Sequence, residues 1–273
     1  PYIRAQIIIT LYEKLFKACL VFMTILSASC TDRLDNDVTT DALTDVTFAI
    51  DVETASLTRA ISDGTGATQL MWAIFSEDGE LLVKKSVIND ADALISEQGY
   101  TLSTKLTKGQ TYKATFWAQN QNCTAYAVSD DMKVTVDYNG INNDESRDAF
   151  YATSDVFSVN SPSIVTVTLR RPFAQVNVGA NEWDVEYAKE AGMEVKTSSA
   201  TVKAVPNCIN LFDGSLEGAV DVVYTASAKP EEYLTVDVDR NGEDEVYDWM
   251  SMSYILAPQD GGQYAMSFSF AGE

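Results

Sequence analysis

One stretch of the sequence, residues 163–180, alternates between apolar and polar side chains on both sides of a single proline. Every second residue is apolar from Val165 to Leu169, and the same period of two returns from Ala174 to Val178. This period is typical of half-buried β-strands, in which successive side chains point to opposite faces. Arg171-Pro172 breaks the pattern, because proline has no backbone N–H to continue a hydrogen-bond ladder. We therefore predict two strands in different sheets, with Arg171 and Pro172 as the junction between two β-domains.

The composition agrees with a β-rich chain that is long enough for two domains. The sequence has 273 residues, of which 46% are hydrophobic, so it can form packed cores. Short alternating segments rich in strand-forming residues recur between polar turns, a spacing that favours a sandwich. We predict an all-β fold of two tandem β-sandwich domains, residues 45–170 and residues 172–273.

The charge and the missing histidine narrow the range of functions. The chain has 40 acidic and 19 basic residues, which gives a formal net charge of −21. Such a chain repels nucleic acid phosphates and anionic lipid surfaces, so we exclude both as partners. It contains no histidine, which removes the commonest general base and the commonest nitrogen ligand for metals. Carboxylate pairs such as Asp130-Asp131 lie in polar runs typical of solvated turns, and no nucleotide-binding or nucleophile motif is present. We therefore predict that the protein is not an enzyme.

The first thirty residues have the pattern of an exported lipoprotein. Two lysines precede a short apolar run, residues 18–26, and small residues lead from there to Cys30. This order describes a secretory signal that is too short to span a bilayer. We predict a signal peptide over residues 1–29 and lipidation of Cys30, although Ser27 stands where a lipobox usually has leucine. The alternative is an ordinary signal peptide cut near Ser29, with Cys30 incidental.

Three further segments lie at the edges of the predicted domains. Residues 30–44 are polar and acidic without periodicity, so we predict a tether. Residues 1–13 begin with proline and add a second apolar stretch, which suggests translated upstream sequence or a fragment. The last alternating segment, residues 264–270, is followed by only three residues, and we expect the C-terminal domain to be truncated.

The first predicted domain contains strands joined by polar turns. Val46–Val52 alternates strictly, and a hairpin is expected to turn at Glu77–Glu80, where an Asp-Gly pair lies. A second hairpin is expected around Lys108–Gln110, between two alternating runs. Residues 130–147 are rich in Asn and Asp, and for them we predict a long surface loop.

The second predicted domain adds one short helix to its strands. Residues 182–191 can form a helix that ends at Gly192, a residue suited to the left-handed conformation after a helix. Cys123 and Cys208 lie on opposite sides of Pro172, so we expect two buried and inert thiols rather than a disulfide. The predicted strands are 195–205, 209–212, 220–226, 234–238, 250–256 and 264–270.

An acidic run in the second domain resembles a calcium-binding loop. Residues 237–248 fit D-x-D-x-N-G with an acid at the twelfth position, a pattern in which alternate oxygens and a glycine turn wrap around Ca²⁺. The flanking segments read as strands rather than helices, so an acidic hairpin turning at Asn241-Gly242 is the alternative. Apart from this possible Ca²⁺, we predict no cofactor. The candidate ligands are Asp237, Asp239, Asn241, Glu243 and Asp248.

Several segments together resemble the fimbrillin-like lipoproteins of Gram-negative anaerobes, which build or cap type V pili. They span most of the chain after residue 38 and occur in the same order as in that family. The resemblance implies transthyretin-like sandwich domains, a location at the cell outer membrane or cell surface, and other fimbrial subunits as partners. The segments are RAISDGTGATQLMWAIFSEDGELL (59–82), LRRPFAQVNVG (169–179), KAVPNCINLFDGSLEG (203–218) and MSMSYILAP (250–258).

The resemblance also implies a maturation step between Arg59 and Ala60. Shaft fimbrillins are cut after an arginine at a similar place, which frees the first strand and leaves a groove for a strand of the next subunit. The alternative is that Arg59 is a plain loop arginine. We therefore predict a structural or accessory fimbrial subunit assembled by strand complementation. The runner-up is a surface-anchored lipoprotein that binds a glycan or a host protein without polymerising.

Overall fold

The computed structural model describes residues 42–53, 66–89, 99–239, 241–256 and 262–272. The chain divides into a compact unit, Thr44–Glu273, and a unit Pro1–Leu43 that lies almost wholly outside the described residues. Strands dominate the described part, together with one α-helix and a short 3₁₀ turn at Glu145–Arg147, so the predicted all-β class is confirmed.

The strands follow the alternating segments of the sequence closely. Ser163–Leu169 and Phe173–Ala180 are separate strands on either side of Arg171-Pro172, as the proline predicts. The helix is α1 (Glu182–Glu190). The strands are β1 (Leu43–Val52), β2 (Gln69–Ser76), β3 (Leu81–Ile88), β4 (Tyr100–Thr107), β5 (Gln110–Gln119), β6 (Tyr126–Val128), β7 (Lys133–Val136), β8 (Gly140–Ile141), β9 (Ala149–Thr153), β10 (Phe157–Val159), β11 (Ser163–Leu169), β12 (Phe173–Ala180), β13 (Thr197–Val205), β14 (Cys208–Asn210), β15 (Leu216–Glu217), β16 (Val220–Ala228), β17 (Tyr233–Val236), β18 (Glu245–Leu256) and β19 (Met266–Ala271).

Eight of the strands before Pro172, β1–β5 and β9–β11, form a sandwich around a first apolar core. One sheet has the order β11-β1-β4, and the other has the order β10-β5-β2-β3 with β9 also paired to β5. The side chains between these sheets are almost all aliphatic or aromatic. Its largest fully buried members are Phe48, Ile50, Leu70, Ile74, Phe116 and Phe150.

The turn at Lys108–Gln110 does not close a hairpin, which corrects the sequence prediction. β4 joins the sheet of β1, whereas β5 joins the opposite sheet beside β2. The short connection therefore crosses from one layer of the sandwich to the other. Gly109 has a positive φ of 77° and donates its N–H to the carbonyl of Val159 at 2.7 Å, which fixes this crossing. Alternation in two successive runs shows which faces are buried but not whether the runs pair with each other.

A second apolar core draws side chains from both sides of Pro172. Three sheets surround it, with the orders β12-β18-β17, β19-β13-β16-β8 and β15-β14-β7-β6. Met71, Trp117 and Tyr151, from the outer face of the first sandwich, pack in the same cluster as Tyr224 and Trp249. The division into domains at 45–170 and 172–273 remains a prediction, and the described contacts cross it at this core.

The segment 130–147, predicted as one long surface loop, contains two strands and buries alternate side chains, so this prediction was wrong. β7 pairs with β14, and β8 pairs in parallel with β16, so this segment completes two sheets made by the later part of the chain. Its Asn and Asp content suggested solvent exposure throughout, but Asn142 and Arg147 are buried and hydrogen-bonded inside the protein. The alternation of Val134, Val136 and Tyr138 was the available signal for a strand.

The predicted helix is confirmed as α1. The side chain of Asn181 caps its N-terminus by accepting the N–H of Asp184 at 2.9 Å. Gly192 has a φ of 73°, and its N–H reaches the carbonyl of Lys189 while the N–H of Met193 reaches Ala188, the bonds of a Schellman motif. Among the described residues, no helix is long and apolar enough to cross a membrane.

Candidate functional site

β1 is the central strand of its sheet and fills the first core with one face. Its even-numbered residues from Val46 to Val52 are buried, whereas Asp45 and Asp51 are exposed on the other face. Burial of such side chains stabilises a fold by about 1.5–3 kcal/mol each. The position of β1 therefore depends on an apolar side chain at every second residue.

The backbone of β1 is held on both sides by neighbouring strands. Along one edge it pairs in parallel with β11, in a register that places Val46 opposite Ser163 and Val52 opposite Leu169. The N–H of Glu53 extends this ladder to the carbonyl of Leu169 at 2.8 Å. Along the other edge it pairs with β4. Most of what holds the backbone of β1 is thus main-chain hydrogen bonding, which carries no sequence requirement.

The outward side chains of β1 make weak and replaceable contacts. Lys105 on β4 forms an ion pair with Asp45 at 3.1 Å, but both side chains are more than half exposed. Thr47 and Ser103 share a hydrogen bond of 2.9 Å at the surface. Neither contact makes the sheet specific for the β1 sequence over another strand with the same alternation.

The groove that β1 fills is narrow and apolar. Phe48 lies edge-on to Phe116, with ring centroids 5.2 Å apart, and to Phe157 at 5.8 Å. Gly99 has a φ of 68°, and a Cβ there would lie 2.8 Å from the carbonyl oxygen of Ile50, so the chain before β4 approaches β1 closely. Without β1, the backbone edges of β11 and β4 and the rings around Phe48 would face solvent together.

The sequence-predicted maturation and anchoring residues lie outside the described residues. Arg59 and Ala60 belong to the segment between the end of β1 and the start of β2 at Gln69, of which residues 54–65 are not described. Cys30 precedes the described residues. Cleavage at Arg59 and lipidation of Cys30 therefore stay predictions.

The predicted junction at Arg171-Pro172 is fixed by a two-pronged ion pair. The Nε and Nη2 atoms of Arg171 donate to the two carboxylate oxygens of Asp148 at 2.7 and 2.9 Å. The same guanidinium lies 4.7 Å from the ring centre of Phe150. With side-chain exposures of 19% and 7%, this pair is shielded from water, and its planar geometry suits arginine rather than lysine.

The segment that sequence analysis assigned to a surface loop carries a buried polar network. Asn142, which is 1% exposed, donates to the hydroxyls of Ser198 and Ser251 at 3.0 and 2.7 Å and accepts from Ser253 at 2.6 Å. These serines lie on β13 and β18, so one amide links two sheets. Asn143 exchanges hydrogen bonds with the backbone of Met252 and donates to Ala228 at 2.8 Å. We call residues 137–148 the polar staple.

Arg147 anchors the other end of the polar staple. Its guanidinium donates to the carbonyls of Asp137 and Asn139 at 2.9 and 3.1 Å and lies over the ring of Tyr224. Burial raises the pKa of Tyr224 and of Tyr138 above the usual 10.0, because the ionised phenolates would lose their water. The Tyr224 hydroxyl donates to the carbonyl of Tyr254 at 2.6 Å, so the neutral form is also hydrogen-bonded.

In the acidic run at 237–248, the described residues before β18 hydrogen-bond mainly to one another. Asp237 accepts the N–H groups of Asn241 and Gly242 at 3.0 and 2.8 Å, which occupies its carboxylate within the turn. Asp239 bonds Asn241, whose side-chain oxygen accepts from the N–H of Glu243. Asp248 lies on β18 instead, 3.4 Å from Lys229. In the ranges that the structure describes, no three His, Cys, Asp or Glu side chains form a group suited to a metal. Calcium binding stays a prediction.

Cys123 and Cys208 are both free thiols, as predicted, but only Cys123 is buried as the prediction required. Cys123 is buried and Cys208 is half-buried. Burial raises the pKa of the Cys123 thiol, which lowers its reactivity at neutral pH.

Solved structures of proteins from Bacteroides and Porphyromonas are similar to this chain. A candidate adhesin from Bacteroides thetaiotaomicron is 13% identical, with a TM-score of 0.51 over 83% of this chain and 75% of that chain. A candidate polysaccharide-binding protein (DUF1812) from the same organism is 14% identical, with a TM-score of 0.50 over 84% and 76%. The fimbrial anchor protein Mfa2 from Porphyromonas gingivalis is 16% identical over 83% and 78%, with a TM-score of 0.49.

These identities are low enough that the likeness concerns the fold and not the ligand. The fold expected from the fimbrillin-like resemblance is thereby confirmed. No curated protein sequence matches the chain. The model of a family of unknown function, DUF6562, matches residues 38–273. The chain therefore belongs to the DUF6562 family.

Proposed function

We propose that this chain is a structural or accessory subunit of type V-like fimbriae, in which β1 leaves its groove after a cut at Arg59 and a strand of a neighbouring subunit takes its place. The observation that carries the proposal is the place of β1 in the chain and in the sheet. It is a central strand between β11 and β4, and the chain continues from it directly into the segment that contains Arg59. A cut after Arg59 would separate β1 covalently while leaving both of its neighbours in the sandwich.

The groove would accept a strand from another subunit because few features of the incoming sequence are required. An incoming segment must supply backbone hydrogen bonds to β11 and β4 and an apolar residue at every second position. Four buried side chains of β1 meet that demand here, from Val46 to Val52. Names of proteins with the same fold, which include a fimbrial anchor and a candidate adhesin, support a role at the cell surface.

The proposed route to that surface is export as a lipoprotein. Cys30 would carry the lipid, and residues 30–44 would tether the sandwich to the outer membrane. Several acyl chains give stable anchoring, since each buried CH₂ contributes about 0.8 kcal/mol.

Digestion of the purified chain with an arginine-specific protease tests the proposal. We expect a product that begins at Ala60 and that forms detergent-resistant oligomers, whereas Arg59→Ala gives neither. Arg33→Ala, which removes an arginine of the predicted tether, is the matched control and should behave like the wild type. An unchanged product mass in Arg59→Ala, or a cut chain that stays monomeric, would contradict strand exchange.

The second candidate is a surface lipoprotein that binds a ligand and does not polymerise. The observation that favours it is a pair of exposed aromatic side chains on α1, Trp183 and Tyr187. A protein of this kind stays intact and monomeric in the same digestion experiment, so one measurement separates the two candidates.

A further inference from the structure

The outward face of α1 carries two aromatic side chains that contact water. Trp183 is 72% exposed and Tyr187 is 70% exposed. The helix rests on its sheet through Val185 and Ala188, which are only partly exposed. Because residues four apart lie side by side on a helix, Trp183 and Tyr187 form one surface on the opposite side.

The exposure of this pair is unusual within the chain. The other three tryptophans, Trp72, Trp117 and Trp249, are all less than 10% exposed. An aromatic side chain offers roughly 150–250 Å², so the pair leaves about 300 Å² of apolar surface open to solvent. The largest apolar patch on a soluble monomer is typically about 300–600 Å² and is often functional, and Trp and Tyr are enriched at the centre of binding interfaces.

Carboxylates surround the aromatic pair. Glu186 follows Trp183 by three residues and Glu190 follows Tyr187 by three, which places each acid beside a ring on the same side of the helix. Both are exposed, and within the described part of the chain neither forms an ion pair with a lysine or arginine. We call these four residues, Trp183, Glu186, Tyr187 and Glu190, the α1 aromatic face.

The charge of the α1 aromatic face selects its partner. A second copy of this chain would bring a net charge of −21 against the same acids, so self-association here is disfavoured. An arginine side chain satisfies both features at once, since its planar guanidinium stacks on aromatic rings and pairs with carboxylates.

We propose that the α1 aromatic face binds a basic, arginine-containing segment of a partner protein. The guanidinium groups stack on Trp183 and Tyr187 while Glu186 and Glu190 neutralise their charge. This binding goes beyond strand exchange, because it uses a helix after Pro172 and none of the residues that line the groove of β1.

Titration of the full chain with short synthetic peptides tests this assignment. The probes are an oligo-arginine peptide, an oligo-lysine peptide of equal length, and a neutral Gly-Ser peptide. Trp183 is the one strongly exposed tryptophan, so its fluorescence and its quenching by acrylamide report binding at this face directly. We expect oligo-arginine to bind and to protect Trp183 from quenching, oligo-lysine to bind about fivefold more weakly, and the neutral peptide not to bind.

Variants distinguish peptide binding at the α1 aromatic face from general electrostatic attraction of a basic peptide to an acidic protein. Trp183→Ala, followed through a label on the peptide, should weaken oligo-arginine binding about tenfold. The double change Glu186→Gln and Glu190→Gln should weaken it about fivefold and reduce its salt dependence. Asp78→Asn with Glu80→Gln removes two exposed acids from the turn between β2 and β3, and Ile164→Ala removes an apolar side chain that is 74% exposed on β11. Both controls should bind within about twofold of the wild type.

Three results would overturn the proposal. The first is equal weakening by the Asp78 and Glu80 pair, which would make the attraction non-specific. The second is equal affinity for the two basic peptides with no protection of Trp183. The third is binding of a neutral oligosaccharide, lost in Trp183→Ala, together with no binding of oligo-arginine, which would make the face a glycan site.

Discussion

β1 and the polar staple are both inserted between strands that are distant in sequence, but they are held by different forces. β1 lies between β11 and β4 through backbone hydrogen bonds and a row of apolar side chains. The polar staple, residues 137–148, is held by named side-chain partners such as Asn142 with three serines. Another strand can supply the same alternation of apolar side chains, but it cannot supply this particular set of side-chain hydrogen bonds.

This difference assigns the two segments different roles. An exchangeable strand needs a groove that accepts many sequences. The groove of β1 requires only an apolar side chain at every second position of the strand. The polar staple brings residues from before Pro172 into sheets formed after it, through β8 on β16 and Asn142 on β13 and β18, so the proposed departure of β1 would leave these contacts in place. Subunit exchange and integrity of the fold can therefore coexist.

The largest expected effect is loss of the second core at alkaline pH. Burial raises the pKa of Tyr126, Tyr138 and Tyr224 above the usual 10.0. A raised folded-state pKa contributes stability in full below the unfolded pKa, and that stability is lost as the pH rises through the folded pKa. We expect unfolding free energies measured in urea to be level from about pH 7 to pH 9 and to fall steeply above about pH 10.

The control for this titration is the double change Tyr138→Phe and Tyr224→Phe. It should lower stability at neutral pH, because each hydroxyl has a hydrogen-bond partner, and flatten the alkaline fall. Tyr126 keeps its buried hydroxyl in this variant, so the fall should become less steep without disappearing. An equally steep fall would mean that Tyr138 and Tyr224 do not contribute to alkaline unfolding.

Phe48→Ala should produce the next largest effect, a loss of about 4 kcal/mol in the free energy of unfolding. Phe48 is fully buried, and its removal leaves a cavity beside Phe116 and Phe157. Denaturant unfolding measures the loss, and Thr47→Ala on the outer face should cost less than about 1 kcal/mol. Similar losses for the two variants would show that β1 is not held by its inner face.

Asn142→Leu should cost about 3 kcal/mol, although the two side chains have nearly the same volume. The change leaves the buried hydroxyls of Ser198, Ser251 and Ser253 without their shared partner. Asn139→Leu is the control, because Asn139 is exposed and its side chain bonds only Asp137 nearby. A fully stable Asn142→Leu protein would contradict the view that this segment depends on side-chain identity.

Ile50→Val should have the smallest effect, about 1 kcal/mol. The variant keeps the apolar period of β1 and removes one buried methyl group from the first core. Thermal unfolding compared with the wild type measures the change. A much larger loss would indicate that the groove demands a particular side chain rather than a pattern.

Much of the fold could be predicted from the sequence because it rests on local alternation. The proline break between Leu169 and Phe173, the strand at Val46–Val52 and the helix that ends at Gly192 all follow from local rules. Pairing between distant strands does not, and so the turn at Gly109 was mistaken for a hairpin although it joins two different sheets. Local periodicity identifies a strand without naming its neighbour.

The candidate site was predictable only in part, for the same reason. The strand that we propose to exchange was visible as an alternating run, but its place between β11 and β4 depends on contacts more than fifty residues away. Asn142 and Arg147 were hidden in a run whose polar composition suggested solvent. Polar residues that form a buried network look the same in sequence as polar residues on a surface.

Exchange of β1 in the cut chain tests the central claim most directly. The full chain is cut after Arg59 and incubated with a fluorescent peptide that spans residues 43–53. We predict that the peptide is taken up, with a rise in melting temperature, and that a peptide carrying Ile50→Asp is not, since it would bury a charge in the first core. Refusal of the first peptide, or equal uptake of both, would contradict the account.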